Sequence, residues 1–226
     1  MTKFSKLALL LGVLFIIATF ATSIYGWLTI PENTMLARHW GLNGEPDGFS
    51  PRNHVLVGMP TLAILLSVLF FWLPSIDPRG QNLKASHGLL EVSWLGAVGI
   101  ITTAHLSIIL PAAHGEAAPA MPASVLYAAS LLLILFGNYM AKSRSNFFLG
   151  IRTPWTLMSE HAWTVTNRAG GWMFVLTGLG ASLTGAVSDA KYGLFVLITG
   201  VLTAVVASAI ISYLAWKSDP DRSPSP

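Results

Sequence analysis

The feature that most constrains this chain is a series of six long apolar segments, separated by shorter polar stretches. A helix needs about 20 residues to cross the hydrocarbon core of a bilayer, and each segment is close to that length. Because lipid offers the backbone no hydrogen-bond partners, each segment is expected to be helical. The predicted fold is an all-α integral membrane protein with six transmembrane helices. The predicted spans are Leu7–Leu28, His54–Leu73, His87–Leu110, Ala123–Ala141, Ala169–Val187 and Tyr192–Trp216.

Composition agrees with this interpretation and excludes several classes of protein. The chain is 53% hydrophobic and only 10% charged, whereas globular domains carry about 25% charged residues. It contains no cysteine, which excludes disulfides, thiolate metal sites and cysteine nucleophiles. Motifs for a serine nucleophile, a helical zinc site, a phosphate loop or a dinucleotide fold do not occur. We therefore expect no catalytic residues, no cofactor and no metal site.

Lysine and arginine predict the orientation, because these residues concentrate on the cytoplasmic side of a membrane protein. With the N-terminus inside, ten of them lie inside and three outside, which accounts for the thirteen in the chain. The ten are Lys3, Lys6, Arg79, Lys84, Lys142, Arg144, Arg152, Arg168, Lys217 and Arg222, and the three are Arg38, Arg52 and Lys191. Both termini are therefore predicted to be cytoplasmic.

The first apolar segment has a second interpretation. Lys3 and Lys6 form a basic start, and Thr19-Phe20-Ala21 is an acceptable cleavage site for a signal peptide. The apolar run, however, continues to Trp27, which is longer than most signal-peptide cores. Both interpretations remain open from the sequence.

The first outer loop, residues 29–53, is rich in functional groups for its length. Asn43-Gly44 and Asp47-Gly48 are turn signals. His39, Trp40 and Asp47 add an imidazole, an indole and a carboxylate. Since this loop is predicted to face outward, these six residues form a candidate site for an external ligand.

A second polar stretch, Gly137–Leu157, follows the fourth segment on the predicted inner side. Gly150 and Pro154 constrain the backbone on either side of Arg152, because glycine permits positive φ and proline extends the preceding Thr153. Ser159 is predicted to cap a short surface helix, Ser159–Asn167, that bends at Gly170-Gly171 into the fifth span. Trp155 and Trp163 are its expected membrane-interface anchors.

In the last two spans, small residues at four-residue spacing predict close packing: Ala181 and Gly185, then Gly200, Ala204 and Ser208.

Glu91 is the one carboxylate that must lie within a membrane segment. A charge there usually faces a partner or a water-filled cavity. Arg152 and Arg168 lie near the same predicted boundary, and Asn138 is one turn from the end of the fourth span. We expect Glu91, Asn138 and Arg152 to form a polar cluster, with Arg168 as the alternative cation.

The stretch GNYMAKSRSNFFLGIRTPWTLMSEHAWTVTNRAGG resembles the signature of the SdpI family, bacterial membrane proteins named for immunity against a secreted antimicrobial peptide toxin. The pattern departs from the family at Asn167, where a histidine is expected, so a role that rests on that histidine does not carry over. The loop pattern P…H-W-x-x-x-G-x-x-D resembles a small domain of unknown function that often precedes the signature. Together the two resemblances leave the last helix and the tail uncovered.

The resemblance implies a function in immunity at the bacterial cytoplasmic membrane. Its expected partners are a secreted membrane-active peptide toxin and the lipid bilayer, with no direct contact to nucleic acid. In the family, the immunity protein can also act as a receptor that holds a small transcriptional repressor at the membrane. The residues implied for the inner partner site are Asn138, Asn146, Gly150, Arg152, Thr153, Pro154, Trp155, Thr156 and Trp163. The residues expected to meet the toxin are His39, Trp40, Asn43, Gly44, Asp47 and Gly48.

Two other classes of function are open from the residues alone. One is a small-solute transporter or channel, in which Glu91 and His105 would line a path. The other is a membrane enzyme with a metal site. We divide the chain into four regions: residues 1–74 with the outer loop, 75–122, 123–216 with the signature, and a tail of residues 217–226 that is predicted to be disordered.

Overall fold

The structure is a computed structural model that describes residues 4–41, 43–116, 120 and 122–221. Six of its helices are long and apolar enough to cross a membrane, which confirms the predicted class of fold. Between the first two of them lies a β-hairpin. The elements are α1 Lys6–Thr29, β1 Met35–Trp40, β2 Pro46–Pro51, α2 Arg52–Ile76, α3 Gly80–Ala85, α4 His87–Ala113, α5 Ala123–Met140, α6 Pro154–Met158, α7 Glu160–Val187 and α8 Ala190–Ser218.

Five of the six predicted spans agree with the observed helices to within three residues. The largest differences are at the ends of α2, at Ile76 instead of Leu73, and of α4, at Ala113 instead of Leu110. The sixth helix, α8, continues through Lys217 to Ser218, so the start of the predicted disordered tail is helical. Residues 222–226 of that tail lie outside the described residues.

The fifth span differs from its prediction. α7 is one continuous helix from Glu160 to Val187, and it runs through Gly170-Gly171 without interruption. A Cβ atom on Gly171 would lie 2.4 Å from the carbonyl oxygen of Gly137, and one on Gly170 would lie 2.1 Å from the Ile151 side chain. These glycines therefore serve close packing against α5 and the following loop, and no surface helix separates from the span.

The six long helices pack as two groups of three. In one, α1, α2 and α4 contact each other; in the other, α7 contacts both α5 and α8. The α4–α5 contact joins the groups within the membrane. Across the described part of the chain, no Cα atom of α1 or α2 lies within 8 Å of one in α5, α7 or α8.

Polar side chains link the helices of the first group. Ser23 Oγ and His105 Nε2 lie 2.8 Å apart, and Thr19 and Thr102 join their hydroxyls at 2.9 Å. The Trp94 indole donates to Ser67 Oγ at 2.9 Å. Such bonds join helices inside a membrane, where apolar burial alone provides little driving force.

The second group relies on small residues. Ala181 and Ala204 are fully or almost fully buried, and Ser208 is also buried. A Cβ on Gly193 of α8 would lie 2.7 Å from the carbonyl oxygen of Ala181 on α7. The predicted close packing of the last two spans is confirmed, because their backbones approach too closely for larger side chains.

The polar elements gather at opposite ends of the helix groups. The hairpin follows the C-terminal end of α1, and we call this the hairpin end. The other end holds the α2–α4 connection with α3, and residues 141–159 between α5 and α7, which include α6. We call residues 141–159 the signature loop and this end the signature end.

Candidate functional site

The signature loop is an ordered turn that is held by its own side chains. The Asn146 side chain is fully buried and makes four hydrogen bonds within the loop. Its amide donates to the carbonyls of Arg144 and Leu149, both at 3.0 Å. Its oxygen accepts from the N–H groups of Phe148 and Leu149 at 3.0 and 2.7 Å. Asn146 is therefore the internal support of the loop and does not reach its surface.

Gly150 adopts the left-handed backbone conformation expected of it, with φ of 108°. The next residue, Ile151, is held by Asn167 on α7. The Asn167 oxygen accepts from the Ile151 N–H at 2.8 Å, and its amide donates to the Ile151 carbonyl at 3.3 Å. Asn167, the residue that departs from the family pattern, therefore bonds to both the N–H and the carbonyl of Ile151.

The residues after Arg152 start a short helix in the manner expected. Thr153 is extended before Pro154, with φ of −120° and ψ of 164°, and forms a reciprocal capping box with Thr156. The Thr153 hydroxyl also donates to Ser212 Oγ on α8 at 3.0 Å. The start of α6 is thereby tied to the end of the last membrane helix.

Ser159 caps α7, as predicted, by accepting from the Ala162 N–H at 2.9 Å. Its hydroxyl donates to the Asp219 carboxylate at 2.5 Å, just beyond the end of α8. A negative charge near a helix N-terminus is favourable, because the first N–H groups carry partial positive charge. Trp155 and Trp216 pack beside this contact with Tyr213 between them.

A third set of contacts joins the signature loop to the first helix group. Arg79, after α2, donates to the Ser145 hydroxyl and to the Leu157 carbonyl, the latter at 2.7 Å, and its guanidinium lies over the Phe147 ring. Buried Asp77 accepts from the Phe147 N–H at 3.0 Å. The sequence analysis did not identify Asp77 and Arg79 as structural residues. Their only local signal was two opposite charges on either side of Pro78, in a very short connection.

The residues predicted to meet an inner partner differ in how exposed they are. Asn146, Thr156 and Trp163 are fully buried, and Trp163 donates to the Ser143 carbonyl at 2.9 Å. The prediction that Trp163 anchors the membrane interface is therefore wrong. Gly150, Thr153 and Trp155 are half-buried, and only Asn138, Arg152 and Pro154 are exposed.

The predicted polar cluster around Glu91 is also wrong. Glu91 accepts hydrogen bonds from the Ser5 backbone N–H at 2.6 Å and from the Ser5 hydroxyl at 2.9 Å. It therefore binds the N-cap residue of α1. Arg152 donates instead to the Phe147 carbonyl at 2.5 Å. Among the described residues, no arginine or lysine pairs with Glu91 within 4 Å. Arg168 and Asn138 are exposed, and Asn138 lies 3.5 Å from the Lys142 amine.

The hairpin at the other end is anchored at its base. Arg52 is buried, and its guanidinium donates to the Ile30 carbonyl at the end of α1. Its backbone N–H donates to the Thr34 carbonyl at 3.0 Å. Leu36 of β1 packs into an apolar cluster with the ends of the neighbouring helices, which includes Leu56 and Ile109. These contacts hold the two strands over the helix ends.

The exposed part of the hairpin carries the paired side chains His39 and Asp47. The His39 Nδ1 and Asp47 Oδ1 atoms lie 2.5 Å apart. Because an ionised carboxylate only accepts hydrogen bonds, the imidazole N–H is the donor, which leaves the second ring nitrogen free to face a ligand. The structure therefore brings together two residues that the sequence had placed eight positions apart.

The turn signals of the hairpin have different outcomes. Gly44 has φ of 82°, and the Asn43 side chain accepts from the Glu45 N–H at 3.1 Å, which confirms the first turn. The second signal, Asp47-Gly48, was misinterpreted, because both residues lie in β2. A Cβ on Gly48 would lie 2.9 Å from the His39 Cβ, so glycine is needed there for the approach of the strands.

Comparison with known proteins tests the resemblance. Residues 142–214 match the model of the SdpI/YfhL protein family, and residues 14–64 match a domain of unknown function, DUF1648. The resemblance to the SdpI family is confirmed. The chain is also 23% identical to the immunity protein SdpI of Bacillus subtilis over 92% of this chain and 95% of that protein. No solved structure matches it significantly. With its six apolar helices, the chain is a multi-pass bacterial membrane protein.

The matches correspond to the structural division of the molecule. The DUF1648 region covers most of α1, the hairpin and the first half of α2. The SdpI region covers the signature loop, α7 and most of α8, including the last helix, which the sequence resemblance had left out. Each family region therefore falls in one helix group and contains one of the two polar sites.

Proposed function

We propose that this protein is an immunity protein that protects its own cell by capturing a secreted, membrane-active peptide toxin at the hairpin. The relation to an immunity protein over nearly the whole chain supports the general role. The observation that carries the site is the His39–Asp47 pair, which is held on an anchored hairpin with both side chains more than half exposed. A rigid support favours binding, because less conformational entropy is lost when the ligand arrives.

Trp40 adds to this surface. It lies at the end of β1, next to His39, and is half-buried beside the apolar cluster below the hairpin. An indole offers a large apolar face, which suits it to the boundary between water and lipid where a membrane-active peptide acts.

The signature loop is our candidate for an inner partner, including a small repressor of the kind that the family resemblance implies. Its backbone is tied to both helix groups, and the exposed residues Arg152 and Pro154 lie on that ordered support, with exposed Asn138 nearby at the end of α5. Buried members of the signature act through the shape of the loop. A partner surface here is accordingly limited to a few side chains around Arg152.

The transport alternative is not favoured by the contacts of its two proposed residues. Glu91 is bound by Ser5, and His105 by Ser23. They lie on one helix, and a separation of fourteen residues corresponds to about 21 Å along it. Buried apolar residues of α4 lie between them, including Trp94 and Val98.

The test is protection of a sensitive bacterium that expresses this chain and is exposed to the secreted peptides of the organism that carries the gene. The unmodified chain should restore growth. We expect Trp40→Ala and Asp47→Ala to abolish protection at unchanged abundance in the membrane. His54→Ala, an exposed residue in the first turn of α2, is the matched control and should protect fully. Full protection by both hairpin variants would exclude the hairpin as the capture site.

A further inference from the structure

A cleft separates the hairpin from the last membrane helix. Its volume is about 620 Å³, within the usual range for ligand sites. One wall is formed by the hairpin and the other by the outer part of α8. The lining residues are Arg38, His39, Trp40, Gly41 and Asp47 on the hairpin, and Leu194 and Ile198 on α8.

The two walls belong to different helix groups. Among the described residues, no Cα atom of β1 or β2 lies within 8 Å of a Cα atom of α8. The cleft is therefore a gap between the DUF1648 region and the SdpI region, lined by side chains from both. A ligand in this gap would contact both family regions at once.

The strand geometry directs two charged residues toward the gap. The pairing of β1 with β2 is irregular on both sides of His39, so that neither Arg38 nor Asp47 has a Cα partner across the ladder. Irregularities of this type bend a strand and redirect its side chains, and they are common beside functional sites. Both residues line the cleft.

The walls differ in chemistry. Arg38 is exposed, and it makes no ion pair or side-chain hydrogen bond with any described residue. Asp47 is already paired with His39. On the opposite wall, Leu194 and Ile198 are half-buried aliphatic side chains. The cleft thus offers an available guanidinium on one side and an apolar surface on the other.

We infer that the cleft is a composite peptide site, which takes a segment with a carboxylate next to bulky apolar side chains. The carboxylate, either a C-terminus or an acidic side chain, pairs with Arg38, because a guanidinium fork binds carboxylates with two hydrogen bonds. The apolar side chains pack on Leu194 and Ile198, and the peptide N–H groups face Asp47. A phospholipid phosphate fits less well, because it has no donor for the Asp47 carboxylate, whereas a peptide presents N–H groups beside its own carboxylate. This inference rests on the proposed function and adds α8 and Arg38 to the site.

The test uses the protection assay with substitutions on both walls. Arg38→Glu reverses the charge, and Ile198→Trp fills the cleft. Each is expected to reduce protection by about tenfold or more, on the scale of one lost binding contact. Val206→Trp is the matched control, because Val206 lies on the same helix, does not line the cleft, and has 62% of its surface exposed. Membrane abundance is measured for every variant.

A second readout uses the absence of cysteine from the chain. Ile198→Cys and Asn33→Cys, the latter an exposed position at the hairpin base, are labelled with a membrane-impermeant maleimide in membrane vesicles. The secreted peptide fraction should slow labelling at position 198 and leave position 33 unchanged. Equally slow labelling at position 198 in anionic phospholipid vesicles without peptide would identify lipid as the occupant and overturn the inference.

The two proposals fail in different ways. If the unmodified chain gives no protection, the immunity function fails and the composite site with it. If Trp40→Ala and Asp47→Ala lose protection while Arg38→Glu and Ile198→Trp keep it, capture by the hairpin stands and the composite site is wrong.

Discussion

Individual residues at the signature end show how a polar turn is held beside a membrane. Arg79 makes several of the contacts that join the two helix groups there, to Ser145, Leu157 and the Phe147 ring. Arg152, which lies within the family signature, is exposed and bonds only to a carbonyl of its own loop among the described residues. The arginine outside the signature is thus the structural one, and the arginine inside it is available at the surface.

Replacement of Arg79 tests this difference. Arg79→Ala should lower the free energy of unfolding by about 1.5–3 kcal/mol, the usual effect of losing hydrogen bonds to a charged group. Lys84→Ala on α3 should change it by no more than about 0.5 kcal/mol, as expected for a site without such contacts. Chemical unfolding of the purified protein in detergent, followed by tryptophan fluorescence, measures these changes. Equal stability of the Arg79 and Lys84 variants would contradict this assignment.

At the scale of helices, the closest approach described above is between α5 and α7. A Cβ atom on Gly137 would lie 2.4 Å from the Gly171 carbonyl oxygen, and a Cβ on Gly171 would lie equally close to that of Gly137. Reciprocal glycines let the two backbones touch, so that many dispersion contacts form along the pair.

A single methyl group should separate these helices. Gly137→Ala is expected to cost about 1–3 kcal/mol of stability, the usual range for overpacking a close contact. Gly58→Ala on α2 is the matched control, because a Cβ there meets nothing within 4 Å. In a helix that change should be neutral or stabilising by up to about 1 kcal/mol. The comparison is made by thermal unfolding in one detergent, and the packing interpretation is refuted if both alanine variants have the same midpoint.

The whole molecule has a polar site at each end, which makes its orientation decisive for the mechanism. Ten of thirteen basic residues lie on the side predicted to be cytoplasmic, which implies that both termini are inside and the hairpin outside. A toxin that acts from outside can then reach the hairpin, while the signature loop faces the cytoplasm.

Reporter fusions test this orientation directly. A fusion truncated after Asn43 should be active with a periplasmic-type reporter such as alkaline phosphatase and inactive with a cytoplasmic one. A fusion after Ser145 should show the reverse. The same activity at both positions would contradict the topology, and capture at the hairpin would lose its physical basis.

The helix α8 gives the two ends a shared element. Leu194 and Ile198 near its start line the cleft beside the hairpin, and Ser212 near its end accepts from Thr153 of the signature loop. Capture and an inner response would therefore involve opposite ends of one helix, if both proposals hold.

The sequence alone determined the number, type and approximate limits of the membrane helices, because a bilayer requires about 20 apolar residues with internally bonded backbone. It also predicted the local geometry at Gly150, Thr153 and Ser159, since these depend on the backbone preferences of one residue or on bonds across a single turn.

The partners of Glu91, Arg79 and Asn167 were decided only by the tertiary structure. Glu91 binds a residue 86 positions away, and Arg79 binds a carbonyl 78 positions away. Asn167 binds across 16 positions because the signature loop folds back onto α7. Charge and spacing restrict which residues can pair, but the packing of the helices sets which of them come within the roughly 3 Å that a hydrogen bond requires.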